Sequence, residues 1–487
     1  MKTKNIFSPK GLIVALLLST VAFGGCKKFL DVNENPNNPE TATPTLLLPT
    51  VEASIGQLMG NGLQIYGNIW AQYWTQRPGA SQYRTFDQYN VTNTTFDRTW
   101  LTIYRNALQN AQLIIDSKTS NSDQFKGIAY LLKAYTFQVA TDAFGDIPLT
   151  EALNAANFAS PKYDSQATVY DSIFTYVDKG LALVKSTGTS PGTQDMVFGG
   201  VMANWEAFGN TLKLKAYMRL SNVDAAKARA GIAALYATNP TFLTADAQIA
   251  YTTTGGNQNP LFNEMVALSR TQNLGASRTA VTAFATNNDP RAFAYYSLAS
   301  TSTDTIAYIV QGSSNQSINS RKIVSTPSPL VGGDVLNDNS ATAPVKFMSA
   351  AESAFLQAEA VARGYVSGNV LALFNQGITA SFTAANIPAS AAAYIASAPD
   401  AVLPASADGQ IKAIITQKYY AMCGAQGFEA WTEYRRTGYP DFIITSVSSV
   451  LGGENKPLRF LYPNSEVTTN TNFPGTIPLT TPVWWDK

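Results

Sequence analysis

Apolar positions recur every three or four residues through much of the chain, the signature of helices that bury one face. In 97–117 the stripe is Trp100, Leu101, Tyr104, Leu108, Ala111 and Ile115. In 126–144 it is Ile128, Leu131, Tyr135, Val139 and Ala143, and in 167–185 it is Val169, Ile173, Val177, Leu181 and Val184. Similar spacing predicts helices over 46–75, 200–220, 224–236, 349–362, 368–382, 408–422 and 427–436. Phe144-Gly145-Asp146-Ile147-Pro148 marks an abrupt stop, because glycine and proline both end helices. Many of these helices pair across short turns at a pitch of roughly 30–40 residues, as tetratricopeptide-type hairpins do. An irregular helical domain is the alternative.

Between about 240 and 345 the periodicity gives way to Thr, Ser, Gly and Asn, and 440–487 reads the same way. Loops and a few short strands are expected there, with 306–310 one candidate strand. The expected fold class is therefore mainly α. A tetratricopeptide-type helical hairpin scaffold over about 46–240 and 345–440 holds an inserted loop-rich lobe over about 240–345 and 440–487. Binding residues concentrate on loops held by a rigid scaffold.

The N-terminus reads as a targeting segment. Lys2, Lys4 and Lys10 precede the apolar stretch 11–22, too short to span a bilayer, which takes ~20 residues, and of secretory h-region length. Phe23-Gly24-Gly25-Cys26 follows and resembles a bacterial lipobox. Residues 1–25 are expected to be a lipoprotein signal peptide and Cys26 the lipidation site. An ordinary signal peptide with a chance cysteine is the blander alternative. Residues 26–45 form an expected extended leader, because Pro36 and Pro39 block helix. No later segment reaches ~18 uninterrupted apolar residues, so nothing else is expected to span a membrane.

Composition removes several chemistries. The 487-residue chain has no histidine and only Cys26 and Cys423 as cysteines. That excludes Ser-His-Asp and Cys-His catalysis, His-ligated zinc and a disulfide framework. No metal and no cofactor is expected. Charged residues are 14% of the chain, with 34 basic against 33 acidic side chains, so there is no electrostatic footprint for nucleic acid. Removal of 1–25 takes away three lysines and no acid, leaving 34 − 3 = 31 basic against 33 acidic groups, net −2. Aromatic residues make up 11%. With Asn, Gln, Ser and Thr supplying the polarity, the surface suits neutral ligands.

The motifs resemble those of the SusD/RagB family of Bacteroidetes outer-membrane lipoproteins, in order along nearly the whole chain. Cys26-Lys27-Lys28-Phe29-Leu30-Asp31 with Asn35-Pro36 is similar to the mature leader. Phe144-Gly145-Asp146-Ile147-Pro148-Leu149 resembles the family's turn after a helix, and Trp205 with Asn210-Thr211-Leu212-Lys213-Leu214 and Arg219 its helix signature. Asn257-Gln258-Asn259-Pro260-Leu261 and Asp289-Pro290-Arg291 resemble its mid-chain markers. Glu352, Glu359, Gln417-Lys418, Glu429-Ala430-Trp431, Arg435-Arg436-Thr437-Gly438-Tyr439-Pro440 and Trp484-Trp485 resemble its C-terminal signatures. The resemblance implies a surface-exposed lipoprotein of the outer membrane, held by its lipid anchor. It would bind an oligosaccharide or peptide and cap a SusC-like TonB-dependent transporter. Lys27-Lys28 depart from the acidic residues that often follow the cysteine in surface-exported members.

Sugar recognition needs flat apolar faces for pyranose C–H groups and Asn, Asp, Gln or Arg for hydroxyls. The segment 66–100 has both. Trp70, Tyr73 and Trp74 fall at helical spacing and are partly core, whereas Arg77-Pro78-Gly79 ends the helix. Expected ligand-binding residues are therefore Trp74, Arg77, Gln82, Tyr83, Asp87, Tyr89 and Asn90 here, Asn257 and Arg270 in 251–278, and Tyr296 in 295–321, where Tyr308 and Gln311 also lie. Exposed tyrosines there would equally suit a transporter contact. Glu352 and Glu359 share a helix face, but glutamates so spaced usually bond a neighbouring helix, and Arg435 and Arg436 are expected to make ion pairs with Glu429 and Glu433. Cys423 reads as a small buried apolar residue. The leading function is non-enzymatic nutrient capture, with glycan the favoured ligand. A carboxylate-based surface glycosidase and a scaffold protein without its own ligand are the alternatives.

Overall fold

The fold is that of a computed structural model, which describes residues 42–313 and 323–486. Cys26 and most of the predicted leader lie outside the described residues. The body Pro44–Lys487 is one compact unit. The predicted mainly-α class holds.

Helix α1 (Pro44–Gly60) leads into α2 (Gly62–Trp70). After the short segments that follow come α3 (Asp123–Phe144), α4 (Gln166–Val184), α5 (Met202–Arg219) and α6 (Ala225–Tyr236). The predicted stripes are the buried ones: Ile128, Leu131, Tyr135, Val139 and Ala143 of α3 meet Val169, Ile173 and Val177 of α4 within one core. Side-chain caps start the helices where the sequence allows. Ser165 accepts from the Thr168 amide and Asp224 from that of Lys227, satisfying donors that have no intrahelical partner. Gly145 ends α3 at φ +88°, a conformation that costs glycine least.

In the second half, α7 (Arg278–Thr286) and the short α8 (Arg291–Tyr295) carry the loop-rich lobe. They precede α9 (Ala350–Ala362), α10 (Val370–Ala384), α11 (Ala407–Met422) and α12 (Gly427–Thr437). Helices α9, α10 and α11 pack on one another around Phe355, Phe374, Ile378 and Phe382. Helix α12 lies against α2 almost backbone to backbone. A Cβ on Gly67 would come 2.1 Å from the Phe428 nitrogen, and one on Gly427 would come 2.4 Å from the Asn68 nitrogen. Only glycine permits that approach.

The described strands are short antiparallel ties between distant segments. β1 (Trp74–Gln76) pairs with β3 (Leu274–Ala276), β2 (Ala247–Ile249) with β6 (Val345–Met348), and β4 (Tyr296–Ser297) with β5 (Thr326–Pro327). The expected strand at 306–310 is reduced to a single bridge, Ser277 to Ile309. The C-terminal segment threads back into the aromatic core: the Phe460 ring stacks 4.3 Å from Phe96 and 5.5 Å from Trp431. Trp70 meets both Trp431 and Phe460, and its indole donates to the Phe86 carbonyl.

Candidate functional site

The segment after α2 folds inward rather than forming an open loop. Trp74 and Arg77 are fully buried, because β1 pairs Trp74 opposite Ala276 and the Arg77 guanidinium donates to the Val324 carbonyl. Asp87 is buried as well and ties three segments together. It accepts from the Thr75 hydroxyl, the Gln76 amide and the Gln311 side chain. Burial pushes its carboxyl up to about 7, against the pull of those same three donors. Tyr89 is buried too, and its hydroxyl accepts from the Ser446 amide. Tyr296, the first residue of β4, is buried and its hydroxyl donates to the Tyr73 carbonyl. The reading of these five residues as ligand contacts is corrected: each is enclosed, with its polar atoms bonded inward or its ring packed in the core.

Gln82, Tyr83, Asn90, Asn257 and Arg270 are placed differently. Asn90 and Asn257 are exposed, the latter inside a turn with Thr252 and Thr254. Arg270 is committed to Asp338 at 2.9 Å and to the Val335 carbonyl, and stands away from the others. Gln82 and Tyr83 come together in a cleft of about 290 Å³. Its floor is aromatic: Tyr66 stacks on Phe86 at 4.4 Å, and Tyr83 tilts against Phe86 at 6.2 Å. Its rim is polar. Gln57 and Asn61 come from the end of α1, Thr95, Arg98 and Thr99 from the helical stretch after 92, and Glu264 from the helix Pro260–Ala267.

Two details give this cleft its chemistry. Arg98 lies 3.6 Å from Glu264 and is largely exposed, while the Asn61 amide donates to the same carboxylate. That charge pair is held at the mouth, where it can meet hydroxyls. The second is Tyr83. The ring is only 4% exposed, yet its hydroxyl has no hydrogen-bond partner among the described residues. A buried hydroxyl left unpaired costs about 1–3 kcal/mol, and this one, beneath the cleft surface, gains a partner only from a group that reaches it. Burial, reinforced by the Glu264 charge, raises the Tyr66 hydroxyl to about 12 and pushes that of Tyr83 higher still. Both are therefore neutral donors at physiological pH. Tyr66, Arg98 and Glu264 were not legible as site residues, since they stand far apart in sequence or on helix faces that read as core.

The family model SusD-like_2, described as starch-binding associating with outer membrane, matches residues 36–463. The chain belongs to this SusD-like family. No curated protein matches its sequence. Among solved structures, a chitin-binding SusD homologue from Flavobacterium johnsoniae superposes with a TM-score of 0.75 at 24% identity, over 91% of this chain and 97% of that one. A SusD-like protein of Bacteroidetes gives 0.78 at 21% identity, over 92% and 100%. A SusD/RagB protein from Bacteroides thetaiotaomicron gives 0.76 at 23%, over 92% and 99%. At these identities the likeness shows the fold.

The SusD-like signature residues prove to be internal. Lys215 bridges Glu352 at 3.0 Å and Glu429 at 2.9 Å, and Arg219 reaches Asp142 and Glu429 at 3.1 and 2.7 Å. Arg436 clamps Glu359 at 2.7 Å and Glu433 at 2.6 Å. Burial opposes ionisation of Glu359, but the Arg436 and Arg363 charges prevail and hold its carboxyl below the usual range. Arg435 instead lies 3.6 Å from the Trp431 ring centroid and donates to the Asp142 and Leu458 carbonyls. Lys418 of α11 reaches Glu433 at 3.2 Å. Together these groups join α3, α5, α9, α11 and α12 into one scaffold. Cys423 is buried, as expected.

Proposed function

We propose that this SusD-like protein is a non-enzymatic glycan-capture lipoprotein of the outer membrane. Tethered through Cys26, it caps a SusC-like TonB-dependent transporter and delivers ligand to it. The single observation that carries the binding reading is the cleft around Tyr83: an aromatic floor, a rim of amides and one charge pair, and a buried hydroxyl with no partner among the described residues. Pyranose rings offer C–H faces for such a floor and hydroxyls for such a rim, and neither needs a charged ligand. The family description and the chitin-binding homologue support a saccharide over a peptide.

Among the described residues Glu264 is the one carboxylate lining the cleft, whereas glycoside hydrolysis ordinarily needs two flanking the bond, ~5–9.5 Å apart. Glu352 and Glu359, the other acids considered, are bound to Lys215 and Arg436. Isothermal titration of the mature protein with maltoheptaose, hexa-N-acetylchitohexaose and a set of peptides tests the reading. We expect saturable heat from a saccharide, unchanged sugar on recovery, and silence from the peptides. Peptide-only binding, or multiple turnovers of sugar, would overturn it.

A further inference from the structure

Asp289-Pro290-Arg291 has no part in the cleft, yet its construction is costly. Arg291 is fully buried and chelated by Asp289, with contacts from 2.5 to 3.0 Å. Its guanidinium also donates to Ser381 at 2.6 Å and Gln417 at 3.0 Å, and lies 4.7 Å from the centroid of the Phe382 ring. A buried, fully paired arginine of this kind fixes the segment that bears it. That segment is α8, and two residues past the anchor Phe293 is 56% exposed. Across a groove of about 420 Å³ stands Tyr308, 44% exposed.

Single exposed apolar residues are common and need no explanation. Two exposed rings lining one groove, one of them held by a buried ion pair, are a different matter. The groove floor is Phe284 and Ile306. Its polar lining includes Asn288 and Asp304. Asn288 is in the left-handed region, φ +48°. No cation pairs with Asp304, and the Asn288 amide has no side-chain partner, among the described residues. Rings for stacking, with the Asn288 amide and the Asp304 carboxylate, which accepts from the neighbouring Thr305 hydroxyl at 2.9 Å and has no cation beside it among the described residues, form a combination like that of the cleft. The two sites share no lining residue.

We propose that the Phe293–Tyr308 groove is a second saccharide subsite, and that the ligand is a glycan polymer engaged at both. This rests on the glycan reading of the cleft and adds to it the substrate class. Two linked contacts raise polymer affinity over that of either site by roughly 10²–10⁴-fold when the geometry allows both to engage.

The test uses the mature chain and the double variant Phe293→Ala/Tyr308→Ala. Both residues are exposed, so the melting curve should be unaltered. Titration with maltoheptaose and hexa-N-acetylchitohexaose should give two sites per chain in the parent and one in the variant. Depletion assays on soluble starch and colloidal chitin should show polymer affinity falling at least ~10-fold. A variant that kept both sites and its polymer affinity would overturn the proposal. So would anilinonaphthalene sulfonate bound at the groove and displaced by no saccharide, which would mark an apolar surface for protein or lipid. The companion variant Gln82→Ala/Tyr83→Phe separates the two readings. If it alone left sugar binding unchanged, the cleft assignment would fail while the groove stood on its own loss of one site.

Discussion

Tyr83 shows how one atom can separate a folding role from a binding role. Its ring is packed against Phe86, and its backbone amide donates to the Gln76 side chain at 2.6 Å, so the ring position is fixed by the fold. The hydroxyl contributes nothing to that packing. Tyr83→Phe removes an unsatisfied buried group and should leave the melting temperature unchanged or slightly higher. The same change should weaken saccharide binding roughly two- to tenfold, the ~0.5–1.4 kcal/mol of one hydrogen bond. Titration and thermal melts on one preparation check both halves. A stability loss with unchanged affinity would make Tyr83 a structural residue only. Residue types in the sequence could not separate Tyr83 from Trp74, Tyr89 or Tyr296. All four are buried aromatic residues among polar neighbours, and what distinguishes them is position: strand 274–276 pairs over Trp74, and Tyr89 and Tyr296 bond to Ser446 and Tyr73, whereas Tyr83 lines the cleft.

At the scale of elements, α3 and α4 were legible because their partners are local and their stripes regular. The region 74–90 was not. Its covering strand arrives from 274–276 and one of its hydrogen-bond donors is Gln311, and helical or loop-like spacing in one segment says nothing of either. Phe293 is illegible in the sequence for a related reason. The Asp289-Pro290-Arg291 motif reads only as a family marker, and its work of fixing α8 is done by Ser381 and Gln417 on other helices. Asp87 makes the cost of such assembly measurable. Its folded carboxyl sits at about 7 against an ordinary 3.8, raised by burial. Below about pH 4 both folded and unfolded forms bind the proton, and the Asp87 contribution is at its most favourable. As pH rises toward 7 the unfolded chain ionises first, so stability declines by up to ~1.4 kcal/mol per pH unit and then levels off. Asp87→Asn cannot ionise, its side-chain oxygen can still accept from Thr75 and the Gln76 nitrogen, and the cost of re-pairing Gln311, whose amide also donates to the Ile69 carbonyl, does not change with pH. The difference in urea midpoint between variant and parent should therefore move in favour of the variant from pH 4 to 8. A parallel pair of pH profiles would show that Asp87 is not the titrating group.

For the whole molecule, the proposed function divides the work between the scaffold and a lipid anchor. Among the described residues no helix is long and apolar enough to cross a membrane, and the proposed attachment is through Cys26. A single acyl chain gives only marginal, reversible binding, and stable anchoring takes two or more. The body itself brings little electrostatic attraction to a lipid surface, with 31 basic against 33 acidic groups once 1–25 are removed. Lipid and glycan binding should then be separable. In cells fed labelled palmitate, the parent protein should be labelled and sediment with the outer membrane, whereas Cys26→Ser should be unlabelled and recovered in the soluble periplasmic fraction. The soluble variant should keep the sugar affinity of the parent within about twofold, because the proposed saccharide contacts all lie on the body, well removed in sequence from Cys26. Co-purification with a TonB-dependent barrel should weaken in the variant without vanishing, since the tether adds effective concentration while the protein surface supplies the contact. Membrane retention of Cys26→Ser after a salt wash would refute the lipid tether and point to a direct grip on the barrel strong enough to hold the body alone.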